Sequence, residues 1–336
     1  MKRSILALFL GLVILGPLPV SAAQPVRSDE GFLILLLLRA RTQVERIRAE
    51  IETGEKEIAT NRQVIATAEK KLQIAMETRN SQASIIPAND LRRARAAKRE
   101  LAKAQSLRKE ALTRAEENAA TLRGMIAGGS PAGPGRPVLA MATPITESAS
   151  VLGKGGAKVA LKDGRAGFLI AGDAISSAGA SHVEVQALDG RAILQMHGGS
   201  EIRIEEDGPQ SQTLRLAQGQ LSAVVETLAD LDRTVNERLQ APDDDLTPLL
   251  RRYRTGMGNA GPVERVLRIR VPYADCAVTA ARFDIELKEG GTAVVVVSEG
   301  TVEVSDLKGE KRVAVEAGYE VAVTKDGPSA PRKRTP

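Results

Sequence analysis

The spacing of apolar residues changes once along this chain, and that change constrains the fold more than any other feature. From Leu37 an apolar residue returns every seventh position, at Val44, Ile51, Ile58, Ile65 and Leu72. Ala40, Ile47, Gly54, Asn61, Ala68 and Ala75 form a second set between them, which gives the alternating three–four spacing of a coiled-coil seam. After Val151 the period becomes two, as in Val183/Val185/Ala187, Ile202/Ile204 and Leu267/Ile269/Val271, the alternation of half-buried strands. At the change stand Gly128, Gly129, Ser130, Pro131, Ala132, Gly133, Pro134, Gly135, Arg136 and Pro137, a density of Gly and Pro that continues neither helix nor sheet. The expected fold class is α+β in separate domains. A helical coiled-coil arm occupies 28–127, a linker 128–150 and an all-β domain 151–325, followed by a basic, disordered tail at 326–336.

The arm reads as two helices. Ser28, Asp29 and Glu30 supply the oxygens and negative charge that suit a helix start. The pattern breaks over residues 84–90, where Pro87 disfavours helix for its predecessor and Asn89 or Asp90 can cap a second helix. That helix carries Leu91, Leu101, Leu112, Leu122 and Ile126 among many alanines, which permit close approach in an antiparallel hairpin. A parallel dimer of the first helix also satisfies the heptads, so a homo-oligomer through the coiled coil stays open. Asn61 in the seam costs stability while favouring one register. The apolar run at 32–38 is too short to span a bilayer and is expected to be a buried helix base.

In the β region, Asp163-Gly164, Gly172-Asp173, Asp189-Gly190 and Gly198-Gly199 separate short strands at near-regular spacing, which fits a solenoid-like ladder or a sandwich. Residues 294–297 are four consecutive valines, expected to be buried on both faces. Residues 224–262 interrupt the pattern: Val224, Val225, Leu228, Leu231, Val235 and Leu239 have helical spacing, and Thr247-Pro248 can start another short helix. This helical insertion is expected either to carry a chain-specific interaction, through Leu228, Leu231, Val235 and Leu239, or to cover a sheet edge.

The order of features across 151–325 resembles the FecR periplasmic domain. Gly172-Asp173 is followed by Asp189-Gly190 before the apolar Ala192-Ile193-Leu194, and then by the Leu-x-x-Gly step Leu216-Ala217-Gln218-Gly219. Ile269-Arg270-Val271-Pro272 is similar to the family's strand ending in proline, and Glu299-Gly300-Thr301-Val302-Glu303-Val304 with a later Gly318 closes the series. The family's Val-Arg-Gly-Thr-x-Phe segment corresponds here to Val278-Thr279-Ala280-Ala281-Arg282-Phe283, without the Gly and Thr. The resemblance implies a periplasmic module. Regulatory members carry a cytoplasmic anti-sigma region and a membrane helix before it. Here a signal peptide and coiled coil stand in that place, so the iron-transport signalling role is not implied.

Export is read from residues 1–22: Lys2 and Arg3, an apolar stretch from Ile5 to Leu15, helix-breaking Pro17 and Pro19, then small residues at Ser21 and Ala22. The periplasm is the expected destination. The single cysteine, Cys276, excludes an intramolecular disulfide. A net charge of +5 permits contact with anionic surfaces, and Arg92, Arg95, Arg99 and Lys103 share one face of the second arm helix. Nucleic acid is not an expected partner, since aromatics are 2% and none is interleaved with this basic face for base stacking.

No catalytic, cofactor-binding or metal-ligating set emerges. His182 and His197 belong to no metal-spaced motif. Asp243-Asp244-Asp245 lacks the spacing of a calcium loop, and the glycines of 256–261 follow a helix rather than a strand. The reading is a non-catalytic cell-envelope scaffold or adaptor that binds another envelope protein. Its alternative is a peptidoglycan- or anionic-polymer-binding protein, and a carbohydrate-active enzyme using paired carboxylates is the third class.

Overall fold

The computed structural model describes residues 28–78, 81–128, 138–145, 148–162, 166–208, 210–240, 245–256 and 264–334. The export segment 1–22, most of the Gly/Pro stretch, the Asp163-Gly164 turn, Asp243, Asp244 and the 257–261 part of the glycine loop lie outside these residues.

Two helices, α1 (Ser28–Glu77) and α2 (Ser81–Gly128), form an antiparallel hairpin. At 1.5 Å per residue its helices are about 75 Å long. The heptad positions explain the pairing: every seam residue from Leu37 to Ala75 is buried or half-buried, while the residues between them beyond Thr42 are almost all exposed. Seam polar groups are satisfied across the hairpin. Asn61 Nδ2 donates to the Ala94 carbonyl at 3.1 Å, and Gln105 Nε2 donates to the Ile51 carbonyl at 2.9 Å. Gly54 opens the space that Gln105 fills, since a Cβ there would overlap its amide oxygen. Arg48–Glu116 at 2.6 Å and Arg95–Glu69 at 2.9 Å fix the same antiparallel alignment.

Residues 84–90, where the sequence places the helix break, are helical: α2 begins at Ser81 and Pro87 sits inside it. Proline removes one N–H, but this position is in the second turn, where only the Ala83 carbonyl loses a donor. The buried Pro87 ring packs against the seam instead.

The β domain is two sheets around one core, joined through a shared strand into a nearly closed, barrel-like sheet. The first sheet runs β4 (Gly167–Leu169), β1 (Ala140–Pro144), β6 (Val183–Ala187), β7 (Ala192–Met196), β10 (Gln220–Val225), β13 (Ala281–Leu287), β14 (Ala293–Asp306) and β16 (Tyr319–Thr324). The second runs β3 (Lys158–Lys162), β2 (Ser148–Leu152), β5 (Ala174–Ser177), β8 (Glu201–Asp207), β9 (Ser211–Gln218), β11 (Val266–Val271), β12 (Ala274–Val278), β14 and β15 (Arg312–Glu316). Pairing is antiparallel except for β9 with β11. β14 belongs to both sheets. It bends where a bulge beside Arg282/Phe283 meets Gly300, whose φ of 76° and close contact with the Ala280 carbonyl exclude a side chain. Gly219, between β9 in one sheet and β10 in the other, meets the same constraint against Ser200. The inward faces, including Phe283, Val295 and Cys276, form one continuous core.

Three boundaries and one burial pattern differ from the sequence reading. The sheet begins at Ala140, inside the range assigned to the linker, because residues 140–144 pair with β4 and β6. Val224 and Val225 are strand, so the helical insertion is narrower: α3 (Leu228–Gln240) and α4 (Thr247–Gly256). Their β-branched side chains suit β10, where they oppose Ile193, Ala192, Arg282 and Ala281. Val294 and Val296 are half-buried, so β14 is covered fully on one face only. The tail is also ordered: β17 (Gly327–Pro328) and β18 (Arg332–Lys333) pair with β16. An edge strand needs only backbone partners on one side, and its charged side chains deter further pairing.

Candidate functional site

The β6–β7 hairpin, the helical insertion and the arm base meet at one end of the β domain. The Leu188–Arg191 turn is held in left-handed backbone, with φ of 50° at Leu188, 53° at Asp189 and 80° at Gly190. Such a conformation is costly for leucine. Gln212 holds it: its side-chain oxygen accepts from the Leu188 N–H at 2.5 Å while its Nε2 donates to the Leu139 carbonyl at 2.8 Å. Behind the turn, Arg191 is 1% exposed and donates to the carbonyls of Glu226 and Arg265. Burial pulls its guanidinium pKa down, and nearby Asp189 and Glu264 oppose that shift. Gly190 lies against Leu35 of α1, so the turn is a seat for the arm.

Around that seat α3 and α4 form a collar. Leu231 and Val235 of α3, Leu246, and Leu250 and Tyr253 of α4 pack with residues 32–38 of α1, Leu122 of α2 and Met141 of β1 in one apolar cluster. Residues 32–38 are therefore the buried helix base that their composition implies. Burial, with Asp189 and Asp232 adding to it, raises the Tyr253 hydroxyl to about 12. The collar's rim is ionic. Arg39 pairs with Glu226 at 2.7 Å and Arg238 with Glu45 at 2.8 Å; Arg252 pairs with Glu30, and Asp245 is gripped by both Arg41 and Arg123. Thr227 caps α3 by accepting from the Asp230 N–H and donating to its carboxylate, which holds that carboxyl below its usual range.

Of the insertion residues singled out from sequence, Leu231 and Val235 are thus buried against the arm, and Leu239 and Leu228 are half-buried. The insertion's apolar face is occupied within the chain, in a cluster that takes in the arm base and Phe168 of the edge strand β4. Arg92, Arg95, Arg99 and Lys103 are all exposed along α2, with Arg95 engaged by Glu69. Nearer the hairpin tip, a groove of about 550 Å³ between the helices is lined by Asn61, Val64, Ala68, Lys71, Pro87 and Arg93.

One polar line on the first sheet escaped the sequence reading. His182 and His197, the chain's two histidines, lie edge-to-face with ring centroids 5.2 Å apart. Ser222 Oγ donates to Asp284 at 2.5 Å and so accepts from His197 Nε2 at 3.1 Å. This order differs from a nucleophilic triad, in which histidine takes the serine proton and the carboxylate orients histidine. Here the carboxylate holds the serine hydrogen itself. Cys276 faces the core, and burial, with Asp275 adding to it, pushes its thiol up to about 12, far from a reactive thiolate.

Among the described residues no cluster of three or more His, Cys, Asp or Glu is placed to hold a metal ion, and no helix is long and apolar enough to cross a membrane. No family model matches the chain, and no curated protein matches it. Among solved structures it is similar to two of "a putative anti-sigma factor from Parabacteroides distasonis ATCC 8503", at 17% and 16% identity, each with a TM-score of 0.33. Each match covers 48% of this chain and 59% of that chain's length, and likeness of this degree carries no argument about function.

Proposed function

We propose that this chain is a non-catalytic cell-envelope adaptor, exported to the periplasm, in which a FecR-like β domain carries a rigid helical arm toward a second envelope component. One observation supports the reading above others: a hairpin with helices of about 75 Å is clamped at its base by the collar. A spacer that only had to connect would need neither the buried leucines nor the ionic rim. The arm holds a fixed direction, which is what an adaptor bridging two separated components requires.

The test uses the full mature chain in cells, with a photo-crosslinker placed at exposed Leu107 on the arm or exposed Val159 on the β domain. Recovery of one discrete envelope protein from either position is the expected outcome. Failure at both positions sinks the adaptor reading. A second reading is favoured by the exposed row Arg92, Arg95, Arg99 and Lys103, which suits an anionic polymer such as peptidoglycan lying along α2. That reading requires co-sedimentation with the polymer that weakens steeply with added salt.

A further inference from the structure

Four of the six large apolar side chains exposed on the arm, Val64, Ile74, Ile86 and Leu107, share one flank of the hairpin and are 47–71% exposed. Alternate steps of four and three residues from Thr53 to Ile74 trace one line down α1, and the same steps from Ile86 to Leu107 trace one down α2. Val64 of the first line and Ala97 of the second stand on the two walls of the groove of about 550 Å³, so both lines border the same side of the arm. Met76 and Ile85 point elsewhere, about 120° away from Val64 and Ala97 around their helices.

Each line reads alike from either end. About Val64, Glu57 and Lys71 stand seven residues away on either side, with Thr60 and Thr67 inside them. About Ala97, Arg93 and Glu100 stand within one turn, and Ile86 and Leu107 about three turns out. Suppose a second copy of the hairpin lies antiparallel on this flank, α1 on α1 and α2 on α2. Each residue then meets the one at equal distance on the other side of the centre. Glu57 meets Lys71, Arg93 meets Glu100, Ile86 meets Leu107, and Val64 and Ala97 meet their own copies. The remaining positions bring Ile74 over Thr53 and Asp90 over Ala104, so no like charges are opposed. The same four charges are idle within the chain: Glu57, Lys71, Arg93 and Glu100 have no ion pair among the described residues, whereas Glu55 and Glu69 on the other flank are paired with Lys109 and Arg95.

Size and clearance agree. Each line is about 32 Å long, and a strip of that length two helices wide is on the order of 600 Å² per copy. Two copies would bury about 1,200 Å², at the lower end of what stable interfaces bury. Centred on Val64, the last residue of the copy's α1, Glu77, falls level with Ile51, short of the collar's contact at Glu45. We propose that two copies of this chain dimerise flank to flank through their arms, about a two-fold axis passing Val64 and Ala97, to form an antiparallel four-helix bundle with a β domain at each end. The dimer goes beyond the adaptor reading and leaves the row Arg92, Arg95, Arg99 and Lys103 free, because that row lies on the far side of α2.

The test begins with sedimentation velocity on the full mature protein at micromolar concentration, where a dimer is expected. Arg93→Glu places like charges opposite one another at two symmetric points and should weaken the dimer by about tenfold or more, with helix content by circular dichroism unchanged. Adding Glu100→Arg to that variant should restore association, which a merely misfolded arm would not do. Orientation is read by disulfide trapping, since the one native cysteine, Cys276, is buried. A chain carrying both Ile86→Cys and Leu107→Cys should give a covalent dimer under mild oxidation, and either substitution alone should not. A chain that stays monomeric at tens of micromolar overturns the proposal, as does self-crosslinking of Ile86→Cys alone, which marks a parallel pair. If the chain is monomeric and the Leu107 crosslinker captures a different protein, the flank belongs to that partner and the proposal also falls. The crosslinker at Val159 on the β domain still tests the adaptor reading in each of these cases.

Discussion

If the collar is what fixes the arm, removing one buried side chain from it should loosen the arm base and little else. Leu250 is the sharpest probe: it is 0% exposed in α4 and sits in the cluster shared with residues 32–38 of α1. Leu→Ala substitutions in cores cost about 2–5 kcal/mol, the larger values arising where the surroundings cannot collapse. This site is enclosed by the α1 leucines, α3 and β1, so roughly 3–5 kcal/mol is expected. At about 1.4 kcal/mol per decade, local opening should become between about a hundredfold and a few thousandfold more populated. Amide hydrogen exchange reads this directly, segment by segment. Residues 32–45 of α1 together with α3 and α4 should lose protection in Leu250→Ala, while residues 58–72 and strands β11–β14 keep theirs. If protection instead falls equally across β11–β14, the collar is part of the sheet's cooperative core and not a separate clamp. If residues 32–45 are unchanged, the collar does not hold the arm.

Other outcomes follow from single groups. Gln212→Leu orphans the Leu188 N–H and the Leu139 carbonyl, and urea unfolding should show a loss of roughly 2–4 kcal/mol; a loss below about 1 kcal/mol would mean that water replaces the amide. Asp245→Asn removes both ion pairs at the collar rim, yet these groups are a quarter to a half exposed, so the change should be about 1 kcal/mol or less and shrink with salt. Alkaline stability should fall in two stages. Between about pH 9 and 12 the unfolded chain releases the Cys276 proton while the folded chain keeps it, so stability drops by about 1.4 kcal/mol per pH unit. Tyr253 adds a similar slope from about pH 10 to 12. Cys276→Ala should remove the first stage only, and an unchanged slope in that variant would show that the thiol is not what titrates.

How much of this was legible in the sequence depends on how local the governing interaction is. The hairpin's buried stripe follows from the heptads, because burial along an isolated helix pair depends on periodicity alone. Its turn was misplaced because Pro87 is a strong breaker by local rule, whereas here it loses one hydrogen bond and gains a packed ring. The β strands were legible wherever apolar residues alternate. Their assignment to two sheets was not, since β9 pairs with β11 across the whole insertion. The insertion's apolar residues were visible as helices, but nothing local says that their partner is residues 32–38, some two hundred positions earlier. The histidine pair was legible and went unread. With Asp189-Gly190 at the centre of the Leu188–Arg191 turn, Val183 falls opposite Met196, and one further step places His182 beside His197.

The geometry of the clamp also says what the arm can transmit. Collar contacts run along α1 from Glu30 to Glu45, about 23 Å of helix, and roughly 50 Å of hairpin extends beyond them. A sideways force at the tip is therefore about doubled at the base by leverage alone. The base meets it with two kinds of contact. The apolar cluster resists separation but has no direction of its own, so it tolerates small rotations. Around α1 the rim residues Glu30, Arg41 and Glu45 lie within about 60° of one another and Arg39 lies opposite, so the ion pairs brace two sides of the helix. Tilt toward Gly190 presses Leu35 onto a turn already held in left-handed backbone by Gln212, while tilt away unloads it. Interiors packed this closely pass strain on rather than absorb it. The turn that seats Leu35 and the His197–Ser222–Asp284 line stand at opposite ends of the same β6–β7 hairpin. Hydrogen exchange at residues 192–197 in Leu250→Ala therefore tests whether losing the collar reaches that line, and unchanged protection there would confine the collar's effect to the arm base.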